Sequence, residues 1–215
     1  TSSAIIKTAG ACVNVSANDV TVQDFFMHGY YRGVQTDSTA LAKVNVRGGY
    51  LFEGQSSAIG ILYTGGFDMA ISDILLDNST NILAGIRLSG MSDCVIHDVN
   101  IVHAQFGLDL LALSSDVECD SVFVSQSFFD TCGTNGIRLQ SSSSGTGAAI
   151  KRCMISDTWA SAAVHGINFV TNGTGVINGI DLINCHVFLN SGNGVNSTCV
   201  QVANIKVTGG LFAQN

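Results

Sequence analysis

The sequence predicts an all-β fold, a right-handed single-stranded parallel β-helix of about eight coils with three short strands per coil. A glycine followed by an aliphatic residue recurs every 22 to 30 residues, each pair opens a short alternating strand, and the 215 residues contain no proline. Alternation of period two indicates strands with one buried face. Proline is avoided in paired strands because it cannot donate to a ladder. The recurring pairs are Gly33-Val34, Gly60-Ile61, Gly85-Ile86, Gly107-Leu108, Gly136-Ile137, Gly166-Ile167 and Gly194-Val195.

A second element recurs after each glycine-led strand and reads as an alternating strand, a tight turn and a further short strand. Examples are residues 71–76, 96–101 and 182–187. No helical pattern lies between the strands, so a path bent twice per repeat must close each coil on itself. Equivalent strands of neighbouring coils then pair about 4.8 Å apart. An antiparallel sandwich is the alternative, but it requires hairpin signals at about 8–12-residue spacing, which are absent.

We expect residues 1–215 to form one β-helix domain, interpreted as a fragment of a longer chain because it starts at Thr1 and ends close behind a strand. Only 12% of the residues are charged and the net charge is −7. An acidic, charge-poor chain is a poor partner for nucleic acid. No apolar run reaches the roughly 18 residues of a membrane span, so no membrane insertion is expected. No cofactor and no metal site are predicted.

The seven cysteines are odd in number and lack a metal-binding spacing such as C-x-x-C. We interpret them as mostly buried, reduced thiols that pack as small hydrophobes. Reduced thiols fit assembly in a reducing cytoplasm. Cys153 and Cys185 are expected in adjacent coils of one interior column, where a disulfide is the alternative to two reduced core residues.

A column of turn residues is predicted at one corner of the coils. Asp, Asn and Gly dominate it because the corner needs a left-handed or locally hydrogen-bonded backbone. Asp73 and Asp98 become stacked neighbours, with His97 beside them. Two carboxylates one strand spacing apart could bind Ca²⁺ or act as acid and nucleophile, and a ladder of turn residues is the simpler interpretation. The column is Asp24, Gly48, Asp73, Asp98, Gln126, Arg152, Asn184 and Gly209.

The column just after that corner should point outward, yet six of its eight residues are apolar or aromatic. A lengthwise apolar strip is too large to leave exposed on a soluble monomer. We interpret it as a subunit interface, most simply of three rods around a shared axis, which predicts a homotrimer. Coverage by a loop or a terminal segment is the alternative. The predicted interface residues are Phe26, Tyr50, Leu75, Phe128, Met154, His186 and Leu211, and Asn100 completes the column.

The outward column of the glycine-led strands places Arg87, Asp109 and Arg138 in successive coils. One interpretation is a surface ion-pair stack of small energetic value. The other is a saccharide-facing strip, because arginine forks bind carboxylates and hydroxyls well. Long loops on one side of a repeat rod commonly build its working face, and the loop at 112–121 is acidic. The candidate residues are Asp109, Asp116, Glu118 and Asp120 for catalysis and Arg87, Arg138, Asn168 and Trp159 for substrate binding.

The Gly-Ile-x-Leu strands at 85–88 and 136–139, with the Ile-x-Asp turns that follow, resemble the coils of the pectate-lyase-like right-handed β-helix superfamily. Within it, the chain looks most like the shafts of phage tailspikes and depolymerases, over essentially its whole length. The resemblance implies a homotrimeric viral spike that recognises bacterial surface polysaccharide. It also implies a location in the virion tail after assembly in the host cytoplasm, with secretion as the alternative.

Activity is less well defined by the resemblance than the fold. The clustered Asp ligands and catalytic Arg of the lyases are not recognisable, nor is the Asn-x-Asp, Asp-Asp, Gly-His-Gly set of the polygalacturonases. Three hypotheses follow: an endoglycosidase, either hydrolase or lyase, acting on O-antigen or capsule; a glycan-binding module without turnover; and a structural shaft of a trimeric viral fibre. A monomeric protein of the polysaccharide lyase or epimerase kind is a further alternative.

Overall fold

The named strand pairings in the computed structural model of the chain are all parallel, and they wind into a β-helix of about seven turns. The structure describes residues 10–36, 40–113, 117–143 and 147–215. No helix that could cross a membrane occurs among these residues. The predicted parallel β-helix is confirmed, and its number of turns is close to the eight coils expected.

The strands change in length along the rod. In the first coils they are β1 (Ala11–Val15), β2 (Thr21–His28), β3 (Arg32–Thr36), β4 (Asn45–Phe52) and β5 (Ile59–Thr64). Two long strands then run through nearly a whole coil each, β6 (Phe67–Ser89) and β7 (Ser92–Ala112). Three short strands per coil follow, as predicted: β8 (Glu118–Ser125), β9 (Phe128–Asp130), β10 (Asn135–Ser143), β11 (Ala149–Ser156), β12 (Trp159–Ser161), β13 (His165–Gly173), β14 (Val176–Ile183), β15 (His186–Phe188), β16 (Asn193–Thr198), β17 (Val202–Thr208) and β18 (Leu211–Ala213).

Single residues with a left-handed backbone form the corners of each coil. Successive corners are five residues apart, as at Asp93, Asp98 and His103, whose φ values are 52°, 54° and 58°. The four residues between two corners give each face two inward and two outward side chains, because side chains alternate along a strand. Gly, Asp and Asn are frequent at corners because they tolerate this conformation best.

Corner 1 consists of Asp19, Lys43, Asp68, Asp93, Ser121, Arg152, Gly179 and Asn204. Corner 2 consists of Asp24, Gly48, Asp73, Asp98, Gln126, Asp157, Asn184 and Gly209. Corner 3 includes Gly29, Glu53, His103, Thr131, Ala162, Leu189 and Gln214. We call the side between corners 1 and 2 the first face, the side between corners 2 and 3 the second face, and the side formed by the glycine-led strands the glycine-led face.

The prediction placed Arg152 in the wrong corner. Its φ of 49° belongs to corner 1, and Asp157, with a φ of 47°, takes the position in corner 2. The error arose because corners 1 and 2 repeat the same local pattern five residues apart, so an alignment by motif can slip between them. The same slip affected Cys153, which pairs with Ile180 on the first face. Cys185 lies on the second face, so the two cysteines do not stack as expected.

The aliphatic interior column of the glycine-led face is confirmed by the strand pairing. Its members are fully or almost fully buried except Val195, which is 37% exposed in β16 at the end of the rod. The column is Val34, Ile61, Ile86, Leu108, Ile137, Ile167 and Val195.

The recurring glycines are required by close approach between coils. A Cβ atom on Gly107 would lie 2.5 Å from the carbonyl oxygen of Gly136 and 2.9 Å from Cδ1 of Phe129. A Cβ on Gly85 would lie 2.8 Å from the carbonyl oxygen of Gly107. The motif that predicted the fold therefore marks the line along which adjacent coils pass closest. The same contact recurs at Gly33, Gly60, Gly85, Gly107, Gly136 and Gly166.

Five cysteines are buried free thiols, in agreement with the prediction: Cys94, Cys119, Cys132, Cys153 and Cys185. Burial raises the pKa of Cys132 and Cys153 to about 12 and that of Cys185 to about 11. The pKa values of Cys94 and Cys119 are raised as well, again chiefly by burial. Desolvation disfavours the thiolate, so these side chains act as small core hydrophobes and are poor nucleophiles.

We expect Gly107→Ala to destabilise the rod by about 1–3 kcal/mol, the usual range for overpacking a close contact. The added methyl group meets backbone that cannot move without disturbing the next coil. Urea denaturation measures the free energy of unfolding. Gly133→Ala is the matched control, because its Cβ would meet Nδ2 of Asn81 at 2.5 Å, the end of an exposed side chain that can turn away. Equal losses in the two variants would contradict this interpretation.

Stability should fall as the pH rises above about 9, the ordinary pKa of these thiols. Unfolded thiols then ionise, whereas the folded state keeps its protons up to about pH 11 or 12. The folded state binds more protons in this window, so the free energy of unfolding decreases with pH, and below the window the contribution is fully present. Urea denaturation across the range measures it, and Cys132→Ala should reduce the slope. A flat profile in the wild type would refute the prediction.

Candidate functional site

The second face carries a lengthwise column of mainly apolar side chains that point out of the rod. Strand pairing stacks its members directly over one another. Phe128 is 39% exposed, Leu75 40% and Leu211 49%, so the outward orientation predicted for this column is confirmed for these residues. We call the column the outer stripe: Phe26, Tyr50, Leu75, Asn100, Phe128, Trp159, His186 and Leu211.

The outer stripe differs from the prediction at one position. Met154 pairs with Phe123 on the first face, and Trp159 occupies the stripe between Phe128 and His186. The cause is again the five-residue slip between corners. Trp159, predicted to bind substrate beside the arginines, thus belongs to a different face from theirs.

Neighbouring rings cover the faces of the aromatic residues in the outer stripe. The ring of Trp159 stacks on His186 with centroids 5.6 Å apart and an interplanar angle of 8°. Phe128 lies on its other side, 5.1 Å away at 62°. Trp159 is therefore in contact with an aromatic ring in each neighbouring coil, although 40% of the residue is exposed. A sugar would stack on the face of an aromatic ring, so this arrangement favours packing against another protein surface.

A groove runs beside the outer stripe in the C-terminal half of the rod. Phe128, Trp159 and Phe188 line it, and its polar lining residues are Asn100, Asp130 and Ser161. The hydroxyl group of Ser161 donates to Oδ1 of Asp130 at 2.7 Å. Two of the polar side chains of the groove are therefore paired with each other, and most of its other lining residues are apolar.

Further apolar side chains are exposed on the first face in the same coils. Val95 is 44% exposed and Phe123 39%, and strand pairing stacks Val95, Phe123 and Met154 in one column. Each lies five residues before a member of the outer stripe, on the other side of corner 2. Apolar surface thus extends over two adjacent faces in the middle of the rod.

The glycine-led face carries a polar column in the place where the second face carries the outer stripe. Amide groups bond between coils at its ends, since Gln35 Nε2 donates to Asn14 Oδ1 at 2.9 Å and Asn196 Nδ2 donates to Asn168 Oδ1 at 3.0 Å. We call it the polar ladder: Asn14, Gln35, Leu62, Arg87, Asp109, Arg138, Asn168 and Asn196. The predicted column of this face is confirmed from Gln35 to Asn196.

Asp109 lies at the centre of the polar ladder, between an arginine from each neighbouring coil. Nε of Arg87 donates to its Oδ2 at 2.8 Å. Nε of Arg138 donates to Oδ1 at 2.8 Å, and a terminal nitrogen of Arg138 donates to Oδ2 at 3.0 Å. The Asp109 side chain is fully buried, whereas the arginine side chains are 19% and 18% exposed. A buried carboxylate needs such partners, because an unpaired buried charge is very costly.

The sequence did not single out Phe106, which fixes one of these arginines. The guanidinium carbon of Arg138 lies 3.7 Å from the centroid of the Phe106 ring, a distance at which the ring attracts the cation. Phe106 directly precedes the recurring Gly107, and its half-buried ring lies beside the polar ladder in contact with Arg138. An aromatic residue at that position of the repeat was the available signal.

The other predicted catalytic acids do not join Asp109. Lys151 Nζ donates to Oε1 of Glu118 at 2.5 Å, and Arg152 donates to Oδ2 of Asp120. Asp116 lies outside the described residues. Within the part of the chain that the structure describes, no ion pair or hydrogen bond connects Glu118 or Asp120 with Asp109.

Asp109, Glu118 and Asp120 are therefore better placed to hold basic side chains in position than to transfer a proton to a substrate. A general acid or base must come within hydrogen-bonding reach of its substrate, and both oxygens of the buried Asp109 already accept from arginine. What the glycine-led face offers a ligand is a row of guanidinium and amide donors. The catalytic role of the acidic residues stays a prediction.

The Asp73–Asp98 pair belongs to corner 2. Both residues have a φ of 54°, and Ser72 Oγ donates to Oδ2 of Asp73 at 3.0 Å. His97 contacts Ser125 through Nδ1 at 3.1 Å. Both aspartates are thus accounted for as left-handed corner residues. Within the described ranges, no three His, Cys, Asp or Glu side chains are grouped closely enough to hold a metal ion.

Comparison with known proteins gives no family assignment. No protein-family model and no curated protein matches the chain. Among solved structures, it is similar to the A-module of the Azotobacter vinelandii mannuronan C-5 epimerase AlgE4, with 11% identity, a TM-score of 0.40, and coverage of 88% of this chain and 67% of that one. It is also similar to the Dettilon tailspike protein (gp208), with 9% identity, a TM-score of 0.22, and coverage of 90% and 60%. Similarity of this degree does not bear on activity, and the fold assignment rests on the strand pairing.

We expect Asp109→Asn to destabilise the rod by about 3 kcal/mol, because two closely spaced guanidinium groups lose the buried charge that neutralises them. Urea denaturation at neutral pH measures the loss. Asp19→Asn is the matched control, since Asp19 forms an exposed ion pair with Lys43 at 3.8 Å and such pairs contribute about 0–1 kcal/mol. If both variants were as stable as the wild type, the central ion pair would have no structural role.

Proposed function

We propose that this chain is the β-helical shaft of a homotrimeric phage tailspike and that it binds bacterial surface polysaccharide. The observation that carries the proposal is the unequal division of the rod's surface. One face bears the apolar outer stripe along the rod, and another bears the polar ladder. A rod that works alone in water has no reason to keep a lengthwise apolar face.

The outer stripe supports assembly with copies of the same chain. It runs from Phe26 in β2 to Leu211 in β18, so a partner must be about as long as the rod itself. A second and a third copy, aligned in parallel around a three-fold axis, meet that requirement with one repeated contact. The exposed Phe123 and Val95 on the first face give such a partner a second apolar surface beside corner 2.

The polar ladder supports binding of a hydroxyl-rich polymer. Its side chains repeat at the strand spacing of about 4.8 Å along the rod. Guanidinium and amide groups provide several donors in a row, which is what a chain of sugar hydroxyl and carboxylate groups requires. In a trimer joined through the second face, the glycine-led face stays open to solvent, so assembly and ligand binding do not compete.

The described residues support binding of polysaccharide better than they support its cleavage. Cleavage of a glycosidic bond generally uses two carboxyl groups flanking it. Asp109, Glu118 and Asp120 are each held by a basic residue. The proposed protein is thus a recognition element of the virion tail, and we expect polysaccharide to be bound without the appearance of new reducing ends or unsaturated sugars.

Native mass spectrometry tests the assembly. The wild type is expected at three times the chain mass of 22.4 kDa, and it should adsorb to at least one member of a panel of purified O-antigen and capsule polysaccharides. Trp159→Asp should give a folded monomer, because a charge in the outer stripe must be desolvated on assembly. A monomeric wild type that adsorbs to none of the panel would overturn the proposal.

Phe67→Asp is the matched control for assembly. Phe67 is an aromatic residue of β6 that is 47% exposed, next to corner 1 and outside the outer stripe. A negative charge introduced at position 67 should leave the trimer intact. If Phe67→Asp dissociated the trimer and Trp159→Asp did not, assembly would use a different face from the one proposed.

A further inference from the structure

We infer that the polar ladder recognises a sugar that carries a carboxylate group, and that Arg87 and Arg138 bind this group. The inference rests on the proposed polysaccharide binding and narrows its ligand to an acidic saccharide. It follows from the charge, the unused donors and the fixed geometry of the two arginines.

The centre of the polar ladder has an excess of positive charge. Two guanidinium groups share the single carboxylate of Asp109, which leaves one net positive charge on a chain whose net charge is −7. In the same three coils, the outward positions two residues to either side contain no charged residue; they are Gly85, Gly107 and Gly136 on one side and Ser89, Leu111 and Gln140 on the other.

Glu118, in the strand that follows this part of the rod, does not cancel this charge. Glu118 lines a groove together with Ser89 and Val117, and Lys151 neutralises it at 2.5 Å. The excess of positive charge on the two arginines is therefore local and without a counterion among the described residues. Such an arrangement attracts an anionic group.

The arginines also have donors left over. Arg87 uses only Nε to hold Asp109, and Arg138 uses Nε and one terminal nitrogen. Among the described residues, no acceptor contacts either terminal nitrogen of Arg87 or the second one of Arg138. Both side chains are partly exposed, at 19% and 18%. A guanidinium group with free terminal nitrogens binds a carboxylate through two parallel hydrogen bonds.

The geometry of the pair is fixed before a ligand arrives. Asp109 holds each guanidinium group by hydrogen bonds of 2.8 Å, and the Phe106 ring supports that of Arg138 at 3.7 Å. Little side-chain freedom is left to lose on binding, and such preorganisation strengthens an interaction. A buried acid that fixes two partly exposed arginines is more readily explained as support for a binding site than as a source of stability, because replacing a whole buried ion pair by apolar residues is often neutral.

The neighbours along the rod indicate a sugar and not an isolated anion. Asn168 and Asn196 continue the polar ladder with neutral amide groups, joined at 3.0 Å. Neutral donors and acceptors suit hydroxyl groups, and they lie on the same line as the arginines. One net positive charge followed by amides matches a polymer with a carboxylate on some of its residues. It does not match nucleic acid, which carries a charge on every phosphate.

Isothermal titration of the intact protein with defined polymers tests this inference. The probes are alginate, polygalacturonate, hyaluronan and polysialic acid, each with its carboxyl-reduced counterpart, and the neutral polysaccharides of the O-antigen and capsule panel. We expect at least one acidic probe to bind and its carboxyl-reduced form to bind roughly tenfold more weakly or worse, the effect of losing hydrogen bonds to a charged group.

Arg87→Gln should weaken binding of the acidic probe by a similar factor of roughly tenfold. Arg138 still holds both oxygens of Asp109 in this variant, so its melting temperature checks that the rod is intact. Arg47→Gln is the matched control, because Arg47 is an exposed arginine of β4 that bonds to Gln23 on the first face. It removes the same charge from another face and should leave the affinity unchanged.

The possible outcomes separate this inference from the proposed function. If only neutral polysaccharides bind, or if carboxyl reduction or Arg87→Gln leaves the affinity unchanged, the inference is wrong and polysaccharide binding stands. If Arg47→Gln weakens binding as much as Arg87→Gln, the effect is one of overall charge and the assigned site is wrong. If no probe binds at all, the proposed polysaccharide binding fails as well.

Discussion

Parallel pairing between successive coils is the constraint on which the rest of the structure depends. Each strand in the interior of the rod pairs with the coil before and the coil after it, so its paired residues have partners one strand spacing away. The coils must therefore keep nearly the same path. Gly107 shows the result, because its neighbour in the next coil leaves no room for a Cβ. The left-handed corners, spaced five residues apart, keep this common path.

The same constraint organises the surface into columns. The nearest neighbours of an outward side chain on this rod are the equivalent side chains of the adjacent coils. Like charges in one column would repel, and the polar ladder avoids this by placing Asp109 between two arginines. Aromatic residues in one column cover each other's rings, as Trp159 and His186 do. The chemistry that each face presents is thus a property of a column and not of single residues.

The fold and most of the columns could be predicted from the sequence, because the glycine motif marks the points of closest approach. The order Gln35, Arg87, Asp109, Arg138 was read correctly for this reason. The register after corner 2 was predicted wrongly in one coil, since Met154 and Trp159 follow similar corner patterns five residues apart. The complete burial of Asp109 could not be foreseen either. Alternation says only that a residue points outward, and the arginines that cover it come from other coils.

The two ion pairs of Asp109 join three consecutive coils, because Asp109 in β7 is bonded to Arg87 in β6 and to Arg138 in β10. A pulling force applied to one end of the rod would detach the terminal coils one after another until it reached this point. There the force would have to separate two coils and pull the buried charge of Asp109 away from an arginine at the same time. The middle of the rod should therefore withstand a higher pulling force than its ends.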